Sequence, residues 1–359
     1  MDTAPPRSAP ADADDDPEYT PAPPERVTIR TIAAAAGVSP ATVSRVMNGT
    51  GAVREDLRQR VEDALALHRF EPNPMARALK GLSTLTIGVI VSDFANPFFT
   101  AVVGGVEEVG RRAEHSVILC NADEQREREL HYLRLLHAKR IEGIIVSPCD
   151  GSQPAAYEGL GSTPLVFVDR EVPGVPADIA RVDNVRGARE AVAYLISLGH
   201  RRIVTIAGPG NVTTGSERLT GYRQALDAAG IEVPPDHVMM GNFKQETGYD
   251  LARQLLTFRP RPTAVFVANN LMTLGAMVAF NEAGVEIPEE VSVVGFDDVD
   301  WAMLSRPPLT VVAQPAYEVG VESAELLLKR MKERGPSQRR TVLLTPQLVV
   351  RSSTAPPGG

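Results

Sequence analysis

The stretch Ser39-Pro-Ala-Thr-Val-Ser-Arg-Val-Met47 decides the fold of the first part of the chain. Ser39 is a favourable helix N-cap, and Pro40 suits the first helical position, where a backbone N–H would have no partner. The apolar residues then recur at i, i+3 and i+4, which places them on one helix face. They are Val43, Val46 and Met47. The stretch therefore predicts a short amphipathic helix with a polar outer face.

A second helix is predicted immediately upstream, over residues 29–36, with Thr28 as its N-cap. The pair Gly37-Val38 follows and supplies a tight turn between the two helices. A helix, a glycine turn and a second helix form the helix-turn-helix geometry, in which the second helix lies in the DNA major groove. A third helix is predicted from Glu55 to His68, although Arg54 at its start offers no capping oxygen.

The run Ala36-Gly-Val-Ser-Pro-Ala-Thr-Val-Ser-Arg-Val-Met-Asn48 resembles the head of the LacI family of bacterial transcription regulators. The similarity continues through Asn73-Pro-Met-Ala-Arg-Ala-Leu79 and Val294-Gly-Phe-Asp-Asp298, so it covers the chain after residue 26. It implies an all-α helix-turn-helix head followed by an α/β, periplasmic-binding-protein-like core of two doubly wound parallel-sheet lobes. It also implies a homodimeric repressor that binds a pseudo-palindromic operator and responds to a small effector.

The resemblance also assigns DNA contacts within the head. Arg45 is the best candidate for reading a guanine edge, since arginine can donate two hydrogen bonds to it. Pro40 and Ala41 occupy positions that discriminate operators in the family, and here their contacts would have to be apolar. Phosphate contacts that position the head without reading sequence are expected from the remaining polar residues. These are Thr28, Ser39, Thr42, Ser44 and Asn48.

The connector over residues 71–84 contains a short helix-prone segment that matches the family's hinge helix. Leu79 falls where the family has a leucine that wedges into the minor groove, which bends the duplex and allows further contacts. Arg77 and Lys80 flank it as additional DNA contacts. A plainer interpretation makes Leu79 a linker leucine that packs on the next domain.

Charge is distributed unevenly along the chain, whose formal net charge is −8. Residues 1–26 carry seven acids and two bases in a Pro- and Ala-rich segment, which predicts a disordered acidic tail. Residues 27–81 carry eight bases and five acids, so the positive charge lies where DNA contact is expected. We therefore divide this part of the chain into the tail (1–26), a DNA-binding domain (27–70) and the hinge (71–84).

Short apolar runs alternate with helical stretches over residues 85–351, a pattern typical of parallel strands that are buried on both faces. The runs form two sets, which predict one lobe over about 85–182 and a second over about 183–312. The segment after 313 is expected to return to the first lobe before the chain ends near the second, followed by a flexible tail (352–359). The runs are 87–91, 117–120, 144–146, 166–168, 203–206, 238–240, 264–267 and 291–294.

A ligand site is expected beyond the carboxyl ends of these strands, as in other open α/β sheets. Polar and aromatic residues follow several strands, among them Phe94, Asp169-Arg170 and Asp297, and they suit a sugar or a nucleoside. In the family, Arg218 and Asp297 match residues that bind effector oxygens and nitrogens. Where the family has Ala-Asn-Asp, this chain has Ala268-Asn-Asn270. The predicted ligand contacts are Phe98, Phe99, Asp169, Thr214, Arg218, Phe243, Asn269 and Asp297.

Enzymatic chemistry is not supported by any motif. The Gly-rich stretch 208–216 lacks the lysine of a phosphate loop, and the six histidines show no metal-ligand spacing, so neither cofactor nor metal is expected. Cys120 and Cys149 are expected to be buried free thiols. No run is long enough to span a membrane and no signal peptide is recognisable, which favours a cytoplasmic protein. The alternative is a sugar-binding receptor without a DNA-binding role, and an enzyme built on the same lobes is a third possibility.

Overall fold

The computed structural model describes residues 27–48, 50–70, 84–333 and 338–358. The chain divides into two compact units, Met1–Arg77 and Ala78–Gly359. The acidic tail predicted over 1–26 and the hinge residues Arg77, Leu79 and Lys80 lie outside the described residues, so both assignments stay predictions. No helix within the described ranges is long and apolar enough to cross a membrane.

The described part of the first unit contains three helices, α1 (Ile29–Ala36), α2 (Pro40–Asn48) and α3 (Glu55–Leu67). Thr28 caps α1: its Oγ1 accepts from the Thr31 N–H at 3.3 Å, and its own N–H donates to Thr31 Oγ1 at 3.1 Å. Gly37 ends the helix in the left-handed region with φ of 63°, a conformation that glycine adopts without strain. These local signals give the helix the bounds that the sequence predicts.

The core of the first unit forms where the apolar faces of the three helices meet. Its buried side chains are Ile32, Ala33, Ala36, Val43, Val61 and Ala64, with Val46 and Met47 partly buried beside them. As expected, Arg54 makes no side-chain cap for α3 and instead forms an exposed ion pair with Asp56. Glu55 and Asp56 in the first turn favour the helix dipole, so α3 begins without the usual capping oxygen.

The first lobe of the second unit is a six-stranded parallel sheet with strand order β11-β5-β4-β3-β1-β2. Its strands are β1 (Thr86–Val91), β2 (Ser116–Asn121), β3 (Gly143–Val146), β4 (Leu165–Val168), β5 (Asp178–Val182) and β11 (Thr341–Leu344). The helices of this lobe are α4 (Pro97–Arg112), α5 (Arg126–Ala138) and α11 (Ala316–Lys332). Helix α11 packs so closely on α4 that a Cβ at Gly320 would overlap the Val102 carbonyl oxygen.

The second lobe repeats the arrangement with strand order β12-β10-β9-β8-β6-β7, in which only β12 is antiparallel. Its strands are β6 (Ile203–Ala207), β7 (Val238–Met240), β8 (Ala264–Val267), β9 (Ser292–Phe296), β10 (Thr310–Ala313) and β12 (Gln347–Val349). Its helices are α6 (Asn184–Ser197), α7 (Thr213–Ala228), α8 (Gln245–Leu255), α9 (Asn270–Glu282) and α10 (Asp300–Leu304).

Three crossings join the lobes, after β5, after β10 and between β11 and β12. All three leave the sheets at the same side, where β5 and β11 form one edge and β10 and β12 form the matching edge. The opposite edges are β2 in the first lobe and β7 in the second. The apolar runs predict β1–β4 and β6–β9, whereas β5, β10, β11 and β12 have no comparable local signal.

Candidate functional site

A small cavity lies between the two lobes, beyond the carboxyl ends of their strands. Both lobes contribute to its wall, so a molecule bound there would contact both. The lining residues are Asn96, Phe98, Phe99, Asp169, Arg170, Thr214, Arg218, Phe243, Asn269, Asp297 and Gln314.

The first lobe supplies an aromatic corner at the start of α4. Asn96 caps this helix, because its Oδ1 accepts from the Phe98 N–H at 2.9 Å. The cap fixes the first turn and directs Phe98 and Phe99 into the space between the lobes, where their rings meet edge to face at 5.1 Å. Both rings are buried and supply an apolar surface for one face of a ligand.

Asp169 and Arg170 follow β4 and are both buried. Arg170 donates two hydrogen bonds of 2.7 Å to the carboxylate of Glu124, and its Nη1 also reaches the Pro148 carbonyl at 3.2 Å. The Oδ1 of Asp169 has no hydrogen-bond partner in the described chain. Burial raises the pKa of Asp169 to about 6, against the lowering effect of the neighbouring Arg170 charge. The geometry leaves one carboxylate oxygen available to a ligand.

Arg218 enters the cavity from α7 and is held without a carboxylate partner. Its Nε donates to Asn184 Oδ1 at 2.8 Å, its Nη1 donates to the Ala268 carbonyl at 2.7 Å, and its guanidinium lies 3.8 Å from the centre of the Phe296 ring. No hydrogen bond within the described ranges uses its Nη2. Burial lowers the pKa of Arg218 from its ordinary value, and the charge of Asp297 opposes this effect.

Asp297 follows β9 in a left-handed conformation with φ of 80°. Its Oδ2 accepts from the backbone N–H of Asn270 at 3.1 Å and from Asn270 Nδ2 at 2.8 Å. Its Oδ1 accepts from the Nε2 of Gln314, the residue that follows β10. Three donors thus fix the carboxylate plane at the cavity wall.

Asn269 reaches the cavity wall but uses both of its polar atoms within its own lobe. Its Oδ1 caps α9 by accepting from the Met272 N–H at 3.0 Å, and its Nδ2 donates to the Phe243 carbonyl at 3.1 Å. Phe243 has φ of 65°, and its ring lies 5.2 Å from the Arg170 guanidinium. Asn269 therefore positions Phe243 and has no unused polar atom for a ligand. Thr214, by contrast, has a buried hydroxyl without a partner in the described chain, which a ligand can bind.

Unpartnered buried polar atoms concentrate around this cavity. Buried polar groups in proteins nearly always have a partner, so each exception needs an explanation. Within the described residues, seven buried side-chain atoms lack a partner, and four of them belong to residues that line the cavity. They are Asp169 Oδ1, Arg170 Nε, Thr214 Oγ1 and Gln314 Oε1. A bound ligand with several hydroxyl groups would satisfy them.

The structure brings all eight predicted ligand residues to one cavity and adds three that the prediction left out: Asn96, Arg170 and Gln314. The segments that hold Asn96 and Arg170 were recognisable as strand ends, whereas Gln314 follows β10, which the apolar runs do not reveal. One expectation was wrong: Phe94 is 47% exposed and does not line the cavity. Its neighbour Asp93 is buried.

The predicted DNA contacts of the head lie on and around α2. Pro40, Ala41 and Arg45 are exposed, and the side chain of Arg45 forms no hydrogen bond or ion pair with another described residue. Ser39 caps the helix, its Oγ accepting from the Thr42 N–H at 3.2 Å. Thr42 and Ser44 are half-buried, and the side chain of Thr28 forms the capping box of α1 with Thr31. The side chain of Asn48 lies outside the described residues.

Comparisons with known proteins identify both units. The model for bacterial regulatory proteins of the lacI family matches residues 28–73, and the model for periplasmic binding proteins and the sugar-binding domain of the LacI family matches residues 84–349. The HTH-type transcriptional regulator DegA of Bacillus subtilis is 34% identical over 92% of this chain and 99% of its own length.

Two solved structures extend the similarity to the fold. The regulator CelR in complex with cellobiose is 35% identical over 91% of this chain and 100% of its own, with a TM-score of 0.68. The Lac repressor dimer bound to operator and the anti-inducer ONPF is 30% identical over 92% of this chain and 100% of its own, with a TM-score of 0.80. These relatives are regulators and not enzymes, and the described residues hold no His, Cys, Asp and Glu group suited to a metal ion.

Proposed function

Because this chain belongs to the lacI family of bacterial regulatory proteins and therefore regulates transcription by binding DNA, we propose that its effector is an uncharged monosaccharide. The effector binds in the cavity between the lobes, and the head reads an operator through α2. The observation that carries this proposal is the set of four unpartnered buried polar atoms around the cavity. The match of residues 28–73 to the lacI head model argues against a receptor without a DNA-binding role.

The charges at the cavity favour a neutral effector. Glu124 already neutralises Arg170 through two hydrogen bonds, which leaves Arg218 as the positive group that faces Asp169 and Asp297. A phosphate or carboxylate on the effector would be repelled by these two acids in a buried site, where charge interactions are strong. Hydroxyl groups can both donate to the carboxylates and accept from Arg218, so a polyol meets the needs of both.

The apolar side chains around the cavity favour a single sugar ring. A disaccharide or a nucleoside is larger than a monosaccharide and would require a wider separation of the lobes. Phe98, Phe99 and Phe243 supply apolar faces for the C–H groups of one sugar ring.

The eight lining residues that the sequence predicts as ligand contacts do not contribute equally to this proposal. Asp169, Thr214, Arg218 and Asp297 supply the polar contacts, while Phe98, Phe99 and Phe243 supply the apolar ones. Asn269 acts indirectly, because its amide holds the Phe243 backbone. Effector binding alters the relation of the two lobes and thereby operator affinity, with a coupling of about 1–3 kcal/mol.

The chain acts as a homodimeric repressor on a pseudo-palindromic operator, which requires two heads for two half-sites. It acts in the cytoplasm, where its operator lies. The hinge residues Arg77, Leu79 and Lys80 and the polar α2 residues, Asn48 included, complete the DNA contacts.

Isothermal titration of the full-length protein with D-ribose, D-glucose, D-ribose 5-phosphate, cellobiose and adenosine tests the effector class. We expect a neutral monosaccharide to bind and to change the gel shift of the gene's own upstream region, while the phosphorylated sugar does not. Asp297→Ala should abolish the sugar response and leave effector-free DNA binding intact. Tight binding of the phosphate, the disaccharide or the nucleoside, with no binding of either monosaccharide, would overturn the proposed class.

A further inference from the structure

Lys244 joins the second lobe to two carboxylates of the first. Its Nζ lies 2.7 Å from Asp93 Oδ2 and 2.7 Å from Asp123 Oδ1. Lys244 follows β7 and occupies the N-cap position of α8, whereas Asp93 follows β1 and Asp123 follows β2. We propose that Lys244, Asp93 and Asp123 form an interlobe clamp that holds the cleft closed before any effector binds.

The clamp lies at the end of the cleft opposite the three chain crossings. All three chain crossings leave the sheets on the side of β5 and β11 in one lobe and of β10 and β12 in the other. The clamp residues follow β2 and β7, which form the opposite edges, and β1, which lies beside β2. A rotation of the lobes about the crossings therefore separates Lys244 from its partners more than it separates residues near the crossings.

Both carboxylates are held by hydrogen bonds within the first lobe, in a position to accept from Lys244. Asp93 Oδ1 accepts from the Ala95 N–H at 2.8 Å, which fixes the carboxylate at the end of β1. Asp123 Oδ2 accepts from Gln125 at 3.2 Å and from Arg128 at 3.3 Å. Little side-chain entropy of the two aspartates remains to be lost on closure, so more of the ion-pair energy stabilises the closed form.

The environment of the clamp makes it stronger than an exposed ion pair. The side chain of Lys244 is only 26% exposed and that of Asp93 only 6%. Hydrogen bonding to Lys244 lowers the pKa of Asp123, and the two aspartates raise the pKa of Lys244 against its burial. Opening the cleft would leave Asp93 without an ion-pair partner among the described residues.

The clamp is also connected to the effector cavity through the backbone. Lys244 is the residue after Phe243, whose ring lines the cavity and lies 5.2 Å from Arg170. Closing the clamp therefore places the Phe243 ring against whatever occupies the cavity. A protein whose binding-competent form is already populated binds its effector with higher apparent affinity. Because the clamp populates the closed form and places Phe243, Lys244 acts as a positioning residue for effector binding.

The test measures the distance between the lobes without any ligand. Spin labels are placed on cysteines at Glu127 and Gln254, exposed positions on α5 and α8, while both native cysteines are buried. We expect the full-length labelled protein without further changes, the parent, to give a short distance between the two labels. Lys244→Met should shift the closed-to-open ratio toward the open form by roughly tenfold or more. Lys244→Arg should retain the short distance. Lys329→Met, which removes an exposed lysine on α11, is the matched control.

Salt and a double-variant cycle complete the test. Salt at about 1 M screens a partly buried ion pair less than an exposed one, so it should move the parent toward the open form less than the Lys244→Met substitution does, and it should leave Lys244→Met unchanged. Asp123→Asn and Lys244→Met should be non-additive. Circular dichroism verifies that each variant is folded. If folded Lys244→Met and Lys329→Met give the same distance distribution as the parent, the clamp does not exist. Because no effector is added, this result is independent of the proposed effector class.

Discussion

The Nδ2 of Asn270 lies 2.8 Å from the Oδ2 of Asp297. The same nitrogen lies 2.7 Å from the Oδ1 of Asn96, which already acts as an acceptor for the Phe98 N–H. Both neighbours of this nitrogen are acceptors, so the Asn270 amide can have only one orientation. One side chain thus connects the effector-facing carboxylate of the second lobe to the first turn of α4. The family usually has an aspartate here, which could not donate to both neighbours.

We expect Asn270→Asp to lower the free energy of unfolding by about 1–3 kcal/mol at pH 7.5, because it removes two buried donors and places a second carboxylate beside Asp297. The loss should be smaller at pH 5, since like-charge repulsion raises the pKa of one acid and favours its protonation. Urea unfolding measures both values. Asn281→Asp, at an exposed position on the same helix, should change stability by less than about 1 kcal/mol. Equal losses in the two variants would contradict the bridging role.

Arg218→Lys should weaken binding of the proposed sugar at least tenfold, although the positive charge is kept. Lysine cannot reproduce the planar fork that donates to Asn184 and Ala268 and stacks on Phe296. Titration calorimetry gives the affinity, and a gel shift without sugar should match that of the unmodified protein. Arg223→Lys, on the exposed side of α7, is the control and should bind normally. Unchanged affinity in Arg218→Lys would place this arginine outside the effector contacts.

Asp169 should make stability depend on pH in a definite direction. Its pKa is about 6 in the folded protein, above the ordinary value of 3.8, so the folded state binds the proton more tightly. Its contribution to the free energy of unfolding is therefore greatest below pH 3.8. This contribution is lost as the pH rises to about 6, and the loss is about 3 kcal/mol in all. Between pH 5 and 7.5, the free energy of unfolding of the unmodified protein should fall by about 1 kcal/mol or more relative to that of Asp169→Asn. Urea unfolding at both pH values tests this, with Asp227→Asn as an exposed control. A constant difference between the protein and Asp169→Asn would show that the carboxyl does not titrate in this range.

Arg45→Ala should reduce operator affinity by about 1–3 kcal/mol and relax the preference at one base pair, as expected for a base-reading arginine. Arg58→Ala on α3 removes the same charge outside α2 and should leave base preference unchanged. Binding to a set of singly substituted operators at two salt concentrations separates the two effects. A uniform loss over all sequences in Arg45→Ala would make Arg45 a phosphate contact instead.

Much of the fold and of the site is predictable because the signals are local. Ser39 and Pro40 start α2, Thr28 and Gly37 bound α1, and short apolar runs give eight of the twelve strands found in the described ranges. Ligand residues such as Asp169 and Asp297 could be identified because they directly follow apolar strands. In each case neighbouring residues supply the physical reason, namely a cap, a turn or a periodic apolar face.

The rest depends on contacts between distant parts of the chain. Lys244 meets Asp93 across 151 positions, and Asn270 meets Asn96 across 174, so no local pattern could reveal either contact. Likewise, Gln314 reaches the cavity only because β10 joins the second sheet beside β9. The sequence by itself determined which elements form and which residues end the strands. Only the tertiary structure decided which side chains meet between the lobes, because that depends on how two separately folded sheets are joined by their crossings.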